Sequence, residues 1–285
     1  MNATACAVVF PDQTAGTHAM SRHRPSLFLT RLAAACSGLS HRMGQRWLRP
    51  ALQALQPQAI LRVEGLRADQ RLVALTIDDS PSAETAGILD LLSDHDATAT
   101  FFIHGANIRN AAETRLLRRM LDDGHEVGNH MPEPVPSVQL KPHEFAAEFE
   151  RNHRILLDAG TKPVRFRPSH GFHNRPMAEF MRTRGVELGY RPEFYLGLTF
   201  PWDVFFEIPG WYARHNAHAA APGRIVVFHD NQDRRDWRGT IINQSRRTLA
   251  ALPLFFAELE KQGFKARSLA HVEGACGRRV ARERD

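Results

Sequence analysis

The chain has few cysteines and no long apolar run, and both absences narrow what it can be. Its 285 residues include Cys6, Cys36 and Cys276, which lie too far apart for a zinc knuckle or a Cys-x-x-Cys redox site and define no disulfide framework. No stretch approaches the roughly 18 to 20 apolar residues that a membrane-spanning helix needs. With 43% hydrophobic residues the chain can still bury a substantial core, so we expect a globular protein without a transmembrane segment.

A concentrated patch of positive charge is also lacking, although the formal net charge is +6. Residues 1–70 hold eight arginines and three acids, and the tail from Glu273 holds four arginines and three acids. The long segment between them is therefore neutral. Because a nucleic-acid-binding domain concentrates basic residues on itself, we expect no nucleic-acid partner.

Residues 1–68 form an N-terminal extension that is rich in Arg, Gln, Ala and His, with helical spacing across Arg46 to Leu55. Within it, Ser26 to Leu39 is the one candidate targeting segment, but Arg31 interrupts its apolar core. A secretory signal that starts at Met20 and an arm that covers the domain both fit this pattern. The expected location is the cytoplasm, with secretion or association with a membrane surface through the extension as alternatives.

From Arg71 onward, short apolar runs alternate with helical segments. Strands are predicted at Leu72 to Ile77, Ala99 to Ile103, Glu126 to Gly128, Val164 to Arg167, Glu187 to Gly189, Arg224 to Phe228 and Lys265 to Leu269, and helices at Ala83 to His95, Glu113 to Asp122, His143 to Ala159 and Ile241 to Gln262. This alternation predicts an α/β fold with a parallel sheet, either open or closed into a barrel. In both arrangements the site lies at the carboxyl ends of the strands.

Polar residues follow several of these strands. Asp78 and Asp79 end the first strand, His130 comes just after the third, Arg167 ends the fourth, and His229 follows the sixth. Two adjacent carboxylates are costly unless a cation or a shared proton neutralises them, which suggests a bound metal. The two acids could instead cap the next helix, and each of the other residues has an ordinary structural alternative. Since all five follow strands, we expect them to converge at one rim.

Four ordered motifs surround these residues. They are Thr76-Ile77-Asp78-Asp79-Ser80-Pro81, Gly124-His125-Glu126-Val127-Gly128-Asn129-His130, Arg165-Phe166-Arg167-Pro168-Ser169-His170-Gly171 and Ile225-Val226-Val227-Phe228-His229-Asp230. In order and spacing the chain from about Arg71 to Val272 resembles the polysaccharide deacetylase family, the NodB-like carbohydrate esterases. The resemblance implies a distorted (β/α) barrel of parallel strands. It also implies a hydrolase that uses a divalent metal to remove N- or O-acetyl groups from sugars.

The same resemblance implies a role for each residue. Asp78 would be the general base, Asp79 and His130 metal ligands, Arg167 the residue that holds the base carboxylate, and His229 the general acid. Zinc is the expected ion, with manganese, iron and cobalt as alternatives. The expected partner is an acetylated carbohydrate.

Two positions depart from the family pattern. The second histidine of the metal motif is replaced by Pro134, which cannot coordinate, so Glu133 is the expected third ligand. Trp202-Asp203 only loosely resembles a further motif that the family has between the third and the last of the four motifs above, and Asp203 either orients His229 or belongs to an ordinary turn. The change at Pro134 leaves an alternative function, a catalytically weak or inactive glycan-binding or scaffold domain. Retention of the other motifs favours an active hydrolase.

The predicted organisation is an N-terminal extension over residues 1–68, a catalytic domain over 69–273 and a basic tail over 274–285. We expect a monomer. Because groove loops select the sugar and loops are hard to predict, the sequence defines the substrate only as an acetylated oligo- or polysaccharide.

Overall fold

A computed structural model describes residue 54 and residues 56–197, 209–230, 233–235 and 241–276. The candidate targeting segment Ser26 to Leu39 and the Trp202-Asp203 pair lie outside the described residues, as do Cys6 and Cys36. Most of the predicted helix at Arg46 to Leu55 lies outside them as well.

Strands and helices alternate over most of the described chain. The strands are β1 (Ala59–Ile60), β2 (Leu72–Ser80), β3 (Thr100–Ile103), β4 (Glu126–Asn129), β5 (Phe194–Tyr195), β6 (Ile225–His229), β7 (Asp233–Arg235), β8 (Ile241–Asn243) and β9 (Lys265–Arg267). The helices are α1 (Thr85–Asp94), α2 (Ala111–Asp122), α3 (Pro142–Asp158), α4 (Arg175–Phe180), α5 (Pro209–His218), α6 (Gln244–Lys261) and α7 (Leu269–Ala275). Short 3-10 turns at Gly105–Asn107 and Ser137–Gln139 and a π-helical turn at Met181–Gly185 complete the order.

The strand pairings close into a ring. The strands β4, β3, β2 and β6 are hydrogen-bonded in this order and run parallel, and β9 pairs with the start of β2. From β4 the ring continues through single bridges that join Asn129 to Phe166 and Phe166 to β5, which pairs with β1. A bridge between Arg62 and Arg224 then joins the chain after β1 to the chain before β6. The predicted distorted barrel is confirmed.

Alternation along the central strand separates an apolar outer layer from a polar interior. In β2, the side chains of Val73, Leu75 and Ile77 are fully buried in the main apolar cluster with residues of α1 and α6. Burial of each such side chain stabilises the fold by about 1.5 to 3 kcal/mol. Because successive strand side chains point to opposite faces, Thr76 and Asp78 face the barrel interior.

Most predicted elements are present, and two predicted strands are not. Residues 187–189 belong to the end of a helical run after α4, which Gly189 terminates with a φ of +87°. Val164 to Arg167 makes only the two single bridges of Phe166 instead of a strand. Apolar runs this short fit a strand and a helix equally well, so tertiary packing decides between them.

The last long helix begins later than predicted. Residues 241–243 form β8, which pairs antiparallel with β7. Asn243 then caps α6, because its side-chain oxygen accepts a hydrogen bond from the amide of Arg246 at 2.9 Å.

Part of the range predicted as an extension belongs to the barrel itself. Strand β1 lies in it, and Ala59, Leu61 and Val63 are buried. The boundary at residue 68, the tail from residue 274 and the monomeric state stay predictions. Among the described helices, none has the length and apolar character required to cross a membrane.

Candidate active site

Polar residues that follow the strands meet at one rim of the barrel. Asp78 and Asp79 lie near the end of β2, His104 directly follows β3, His130 directly follows β4, and His229 is the last residue of β6. In the parallel pairing of β2 with β6, Asp78 lies opposite His229. The carboxyl ends of neighbouring parallel strands therefore bring all five residues to the same edge.

Both acids reach the site because Asp79 departs from the strand conformation. In a regular strand, adjacent side chains would point to opposite faces. Asp79 instead has a φ of +70°, and the register of β2 with β3 shifts between Asp78 and Ser80. This left-handed conformation costs on the order of 1 kcal/mol, although Asp tolerates it better than most residues. Nδ2 of Asn107 holds the turn by donating to the Asp79 carbonyl at 2.6 Å.

Asp79, His104 and His130 form a compact cluster of possible metal ligands. One ligand atom from each side chain lies within 4.8 Å of the others. Nε2 of His104 is 2.9 Å from Oδ1 of Asp79, and Nε2 of His130 is 3.4 Å from the same oxygen. All three side chains are buried.

A backbone carbonyl holds each imidazole at its other nitrogen. Nδ1 of His104 lies 3.0 Å from the carbonyl oxygen of Met131, and Nδ1 of His130 lies 2.8 Å from that of Arg167. Because a carbonyl only accepts, each Nδ1 carries the hydrogen and donates. A neutral ring therefore has its lone pair on Nε2, toward Asp79, whereas a protonated ring donates a hydrogen bond from Nε2 to that carboxylate. Metal-binding histidines are usually oriented in this way.

Electrostatics keep Asp79 ionised in this buried setting. Burial alone would raise the pKa of Asp79, but hydrogen bonds from His104 and His130 and attraction to His229 outweigh it and hold the pKa well below its ordinary value. For His130, burial works to lower the pKa, whereas Asp78 and Asp79 raise it, and the net shift is upward. Metal binding at this cluster must therefore displace a proton that the two carboxylates favour.

The chemistry of the cluster fits a divalent ion. One carboxylate and two imidazoles form a donor set that suits zinc and non-haem iron. Oδ2 of Asp79 is buried and has no hydrogen-bond partner among the described residues. Since buried carboxylate oxygens are normally satisfied, this atom is consistent with a cation that binds there.

Asp78 is paired with an arginine instead. Nη1 of Arg167 donates to Oδ1 of Asp78 at 2.6 Å and to Oγ1 of Thr76 at 2.9 Å. The guanidinium carbon lies 4.2 Å from the centre of the Phe102 ring, which fixes the plane of the group. The other oxygen of Asp78, Oδ2, lies 3.8 Å from Nε2 of His130. A charge-compensated carboxylate therefore stands beside the cluster.

The end of β6 is tied to the end of β2 by Asp230. Its fully buried carboxylate accepts hydrogen bonds from the hydroxyl groups of Ser80, Ser82 and Thr85. The amide of Asp230 also donates to the carbonyl of Asp78 at 2.7 Å. These contacts fix the position of the half-buried His229 relative to Asp78.

Comparison with known proteins agrees with this geometry. A family model described as polysaccharide deacetylase matches residues 65–189. A chitooligosaccharide deacetylase of Sinorhizobium fredii is 30% identical over 205 residues, which are 69% of this chain and 89% of that protein. The chain belongs to the polysaccharide deacetylase family.

Further members and structures show the same likeness. A peptidoglycan-N-acetylglucosamine deacetylase of Bacillus cereus is 27% identical over 200 residues, which are 69% of this chain and 85% of that protein. The solved structure of a CE4 family pseudoenzyme from Bacillus anthracis superposes with a TM-score of 0.59 and 22% identity, over 78% of this chain and 70% of that one. The latter comparison concerns the fold alone.

In this polysaccharide deacetylase the third member of the cluster is not the residue expected from the sequence. The structure brings together Asp79 and His130, with Asp78, Arg167 and His229 beside them. Glu133 lies outside the cluster and its side chain is exposed. The third position is taken by His104.

The sequence does contain a signal that indicates His104 as a site residue. His104 directly follows a predicted strand, as the other site residues do. Its turn also needs the glycine that comes next, because a Cβ on Gly105 would lie 2.2 Å from Oδ1 of Asn152. The amide of Ala106 then donates to the Pro132 carbonyl at 3.0 Å, which holds this turn against the chain after His130.

Proposed function

We propose that the protein is a metal-dependent carbohydrate deacetylase in which Asp79, His104 and His130 hold a divalent ion. The observation that carries this proposal is the buried cluster of these three side chains beside Asp78. When bound, the ion supplies Lewis acidity, which activates a water molecule and polarises the acetyl carbonyl. Zinc is the proposed ion, because two imidazoles and one carboxylate suit it.

The chain's own residues move the protons. Asp78 accepts a proton from the water that attacks the acetyl carbon, and the hydrogen bond from Arg167 orients its carboxylate. As the bond from the acetyl carbon to the sugar nitrogen or oxygen breaks, His229 donates a proton to the leaving atom. The products are acetate and a free amine or hydroxyl group on the sugar.

The substrate that we propose is a chain with N-acetylglucosamine units. Two relatives support this choice, since they are named as chitooligosaccharide and peptidoglycan-N-acetylglucosamine deacetylases. An N-linked acetyl group also needs a proton donor for the leaving amine, a role for which the half-buried His229 opposite Asp78 is well placed.

Acetate release from chitooligosaccharides, peptidoglycan and acetylated xylan tests the proposal. We expect release from the first two substrates to stop after treatment with a chelator and to return with Zn²⁺. Asp78→Asn should lower kcat by about 10² to 10⁴-fold while the zinc content is unchanged, because it removes the base and not a ligand. Asp94→Asn, an exposed acid on α1, is the matched control.

The outcomes separate the parts of the proposal. Release only from acetylated xylan would keep the hydrolase and overturn the N-linked substrate. A protein that binds oligosaccharides but releases no acetate in the presence of zinc would instead be the glycan-binding domain that Pro134 leaves as an alternative.

A further inference from the structure

Asn152 lies at the junction of the two chain segments that carry His104 and His130. It belongs to α3, and its side chain is fully buried. Its Nδ2 donates to the carbonyl of Ile103 at 3.1 Å and to Oδ1 of Asn129 at 2.7 Å. Ile103 immediately precedes His104, and Asn129 immediately precedes His130. One amide group therefore joins the ends of β3 and β4 where the two histidines begin.

Both acceptors of this amide group also hold the backbone around His130. The carbonyl of Ile103 accepts from the amide of His130 at 3.1 Å. Oδ1 of Asn129 accepts from the amide of Met131 at 2.8 Å. The carbonyl of Met131 in turn accepts the Nδ1 hydrogen of His104. The contacts of Asn152 thus extend to the backbone of one histidine and to the ring of the other.

The amide orientation of Asn152 follows from these neighbours. Two acceptors face Nδ2, so exchanging the nitrogen and the oxygen would set acceptors against each other. Oδ1 is buried without a hydrogen-bond partner among the described residues. It occupies the space beside Gly105, where a Cβ would approach to 2.2 Å. An amide with an unsatisfied buried oxygen is a poor choice for packing alone.

We propose that Asn152 is a positioning residue of the metal site, which sets the separation of His104 and His130 without touching the ion. This inference rests on the metal site of the proposed function and deepens it. Groups that orient metal ligands from behind typically change metal affinity by about 10 to 100-fold. The amide of Asn152 should have an effect of this size.

Metal binding by the full chain tests the role without any turnover. In Asn152→Ala we expect the zinc affinity, measured by competition with a chelator, to fall about 10 to 100-fold. The absorption spectrum of the cobalt(II) form should change as well, because it reports the geometry of the ligands. A residue that served only the fold would lower thermal stability and leave both readouts unchanged in the folded protein.

Asn216 on α5 offers a matched control. It is also buried, its Nδ2 donates to the carbonyl of Tyr212 at 3.2 Å, and its Oδ1 accepts from Nη2 of Arg224 at 3.4 Å. Asn216→Ala removes a buried amide of the same size with no bond to a ligand segment. We expect it to lower thermal stability and to leave zinc affinity and the cobalt(II) spectrum as they are.

Gly105→Ala approaches the same contact from the other side and is available where Asn152→Ala does not fold. Its Cβ would displace the amide of Asn152, so zinc affinity should fall in this variant too. Unchanged zinc affinity in folded Asn152→Ala and Gly105→Ala would overturn the inference, and so would an equal loss in Asn216→Ala. An unaltered protein that binds zinc yet releases no acetate would contradict the deacetylase alone, since the role of Asn152 is read from affinity.

Discussion

At the scale of single residues, the histidine missing at position 134 and the presence of His104 in the buried cluster are related features. The family usually places a second histidine four residues after the first, and this chain has Pro134 there. His104 reaches Asp79 from the end of β3 instead, and its Nδ1 is held by a backbone carbonyl as that of His130 is. In the buried cluster, His104 thus supplies a second imidazole from another strand, where Pro134 has none to offer.

This arrangement predicts that metal binding requires His104 and that a histidine at position 134 cannot replace it. We expect His104→Ala to weaken zinc binding by more than about 100-fold, because a ligand contributes more than the groups that orient it. Adding Pro134→His to the same chain should recover little of the affinity, because residue 134 is exposed and the chain after His130 does not form the helical turn that would bring it to the site. Zinc titration of the single and double variants measures both effects.

Glu133→Gln is the control variant for His104→Ala. It removes the charge of an exposed carboxylate next to Pro134 and should leave zinc affinity unchanged. Loss of zinc in Glu133→Gln together with normal binding in His104→Ala would make Glu133 the ligand after all.

Five residues that the structure brings together follow from the sequence, whereas Glu133 lies outside the cluster for a local reason. The ends of predicted strands, together with the family resemblance, indicate Asp78, Asp79, His130, Arg167 and His229. Glu133 is the expected ligand because residues three and four positions after His130 would share its face on a helical turn, and Pro134 cannot coordinate. Three prolines between residues 132 and 136 and a φ of +72° at Met131 exclude a helix there. The spacing argument therefore does not apply, and Glu133 faces solvent.

At the scale of elements, helix α7 is attached to the barrel by a buried ion-pair network. Glu273 accepts hydrogen bonds from Nη1 and Nη2 of Arg165 at 3.1 and 2.8 Å and from the hydroxyl of Tyr195 at 2.9 Å. Arg191 lies 2.9 Å from the same carboxylate, and Nε of Arg165 donates to Glu126 at 2.7 Å. Arg165 is only 1% exposed, so these partners offset the free-energy cost of burying its charge.

Glu273→Ala should lower the free energy of unfolding by about 3 to 5 kcal/mol, because it leaves the guanidinium of Arg165 buried with half of its partners. Urea unfolding with a chelator present measures this loss. Replacing both groups in Arg165→Met/Glu273→Leu should recover part of the stability, since the two fully buried charges are removed together, while the less buried Glu126 and Arg191 lose their ion-pair partners.

The exposed pair of Arg151 and Glu148, 2.8 Å apart, is the comparison. Glu148→Ala should change the free energy of unfolding by less than about 1 kcal/mol. Equal losses of unfolding free energy in Glu148→Ala and Glu273→Ala would contradict the expectation that breaking a buried ion pair costs more than breaking an exposed one.

The elements that the sequence predicts correctly share a simple physical origin. Leu72 to Ile77 is a run of apolar and β-branched residues, and α2 has a capping box between Asn110 and Glu113 that defines its start. Residues 187–189 have no such signal and form the last helical residue and the turn that ends the run, because the run begun by α4 continues through Met181–Gly185. Met181 packs into a buried apolar cluster that includes Phe145 and Phe149, and this packing holds that run in place.

At the scale of the whole molecule, the closure of the barrel could not be predicted from local sequence. The closing contacts are single bridges at Phe166 and between Arg62 and Arg224, which are too short to leave a strand pattern. Gly223 illustrates why local sequence does not identify the residues that pair at the closure. Its φ is +77° and its carbonyl accepts from the amide of Val63 at 2.8 Å, while a Cβ there would lie 1.9 Å from the Val63 carbonyl oxygen. A glycine predicts a turn, but its partner 160 residues earlier depends on the complete fold.

Acid should lower the free energy of unfolding of the whole molecule through the buried His125, which is not a residue of the site. Nδ1 of the buried His125 accepts a hydrogen bond from the amide of Ala99 at 3.2 Å, and burial lowers the pKa of His125 to about 4. The unfolded chain binds this proton near pH 6.5, whereas the folded protein binds it only near pH 4. The contribution of His125 is therefore complete above pH 6.5 and is lost as the pH falls toward 4, by on the order of 3 kcal/mol.

His125→Asn isolates this contribution, because the Asn side-chain oxygen can still accept from Ala99 but does not titrate. Urea unfolding between pH 7 and pH 4, with a chelator present to exclude metal release, should show a shallower loss of stability in His125→Asn than in the unaltered protein. The exposed His143 provides the control, and His143→Asn should keep the original slope. Parallel slopes for all three proteins would mean that His125 takes up its proton equally in both states, and the acid sensitivity would then have to come from other groups such as Asp79, whose partners hold its pKa below the ordinary value.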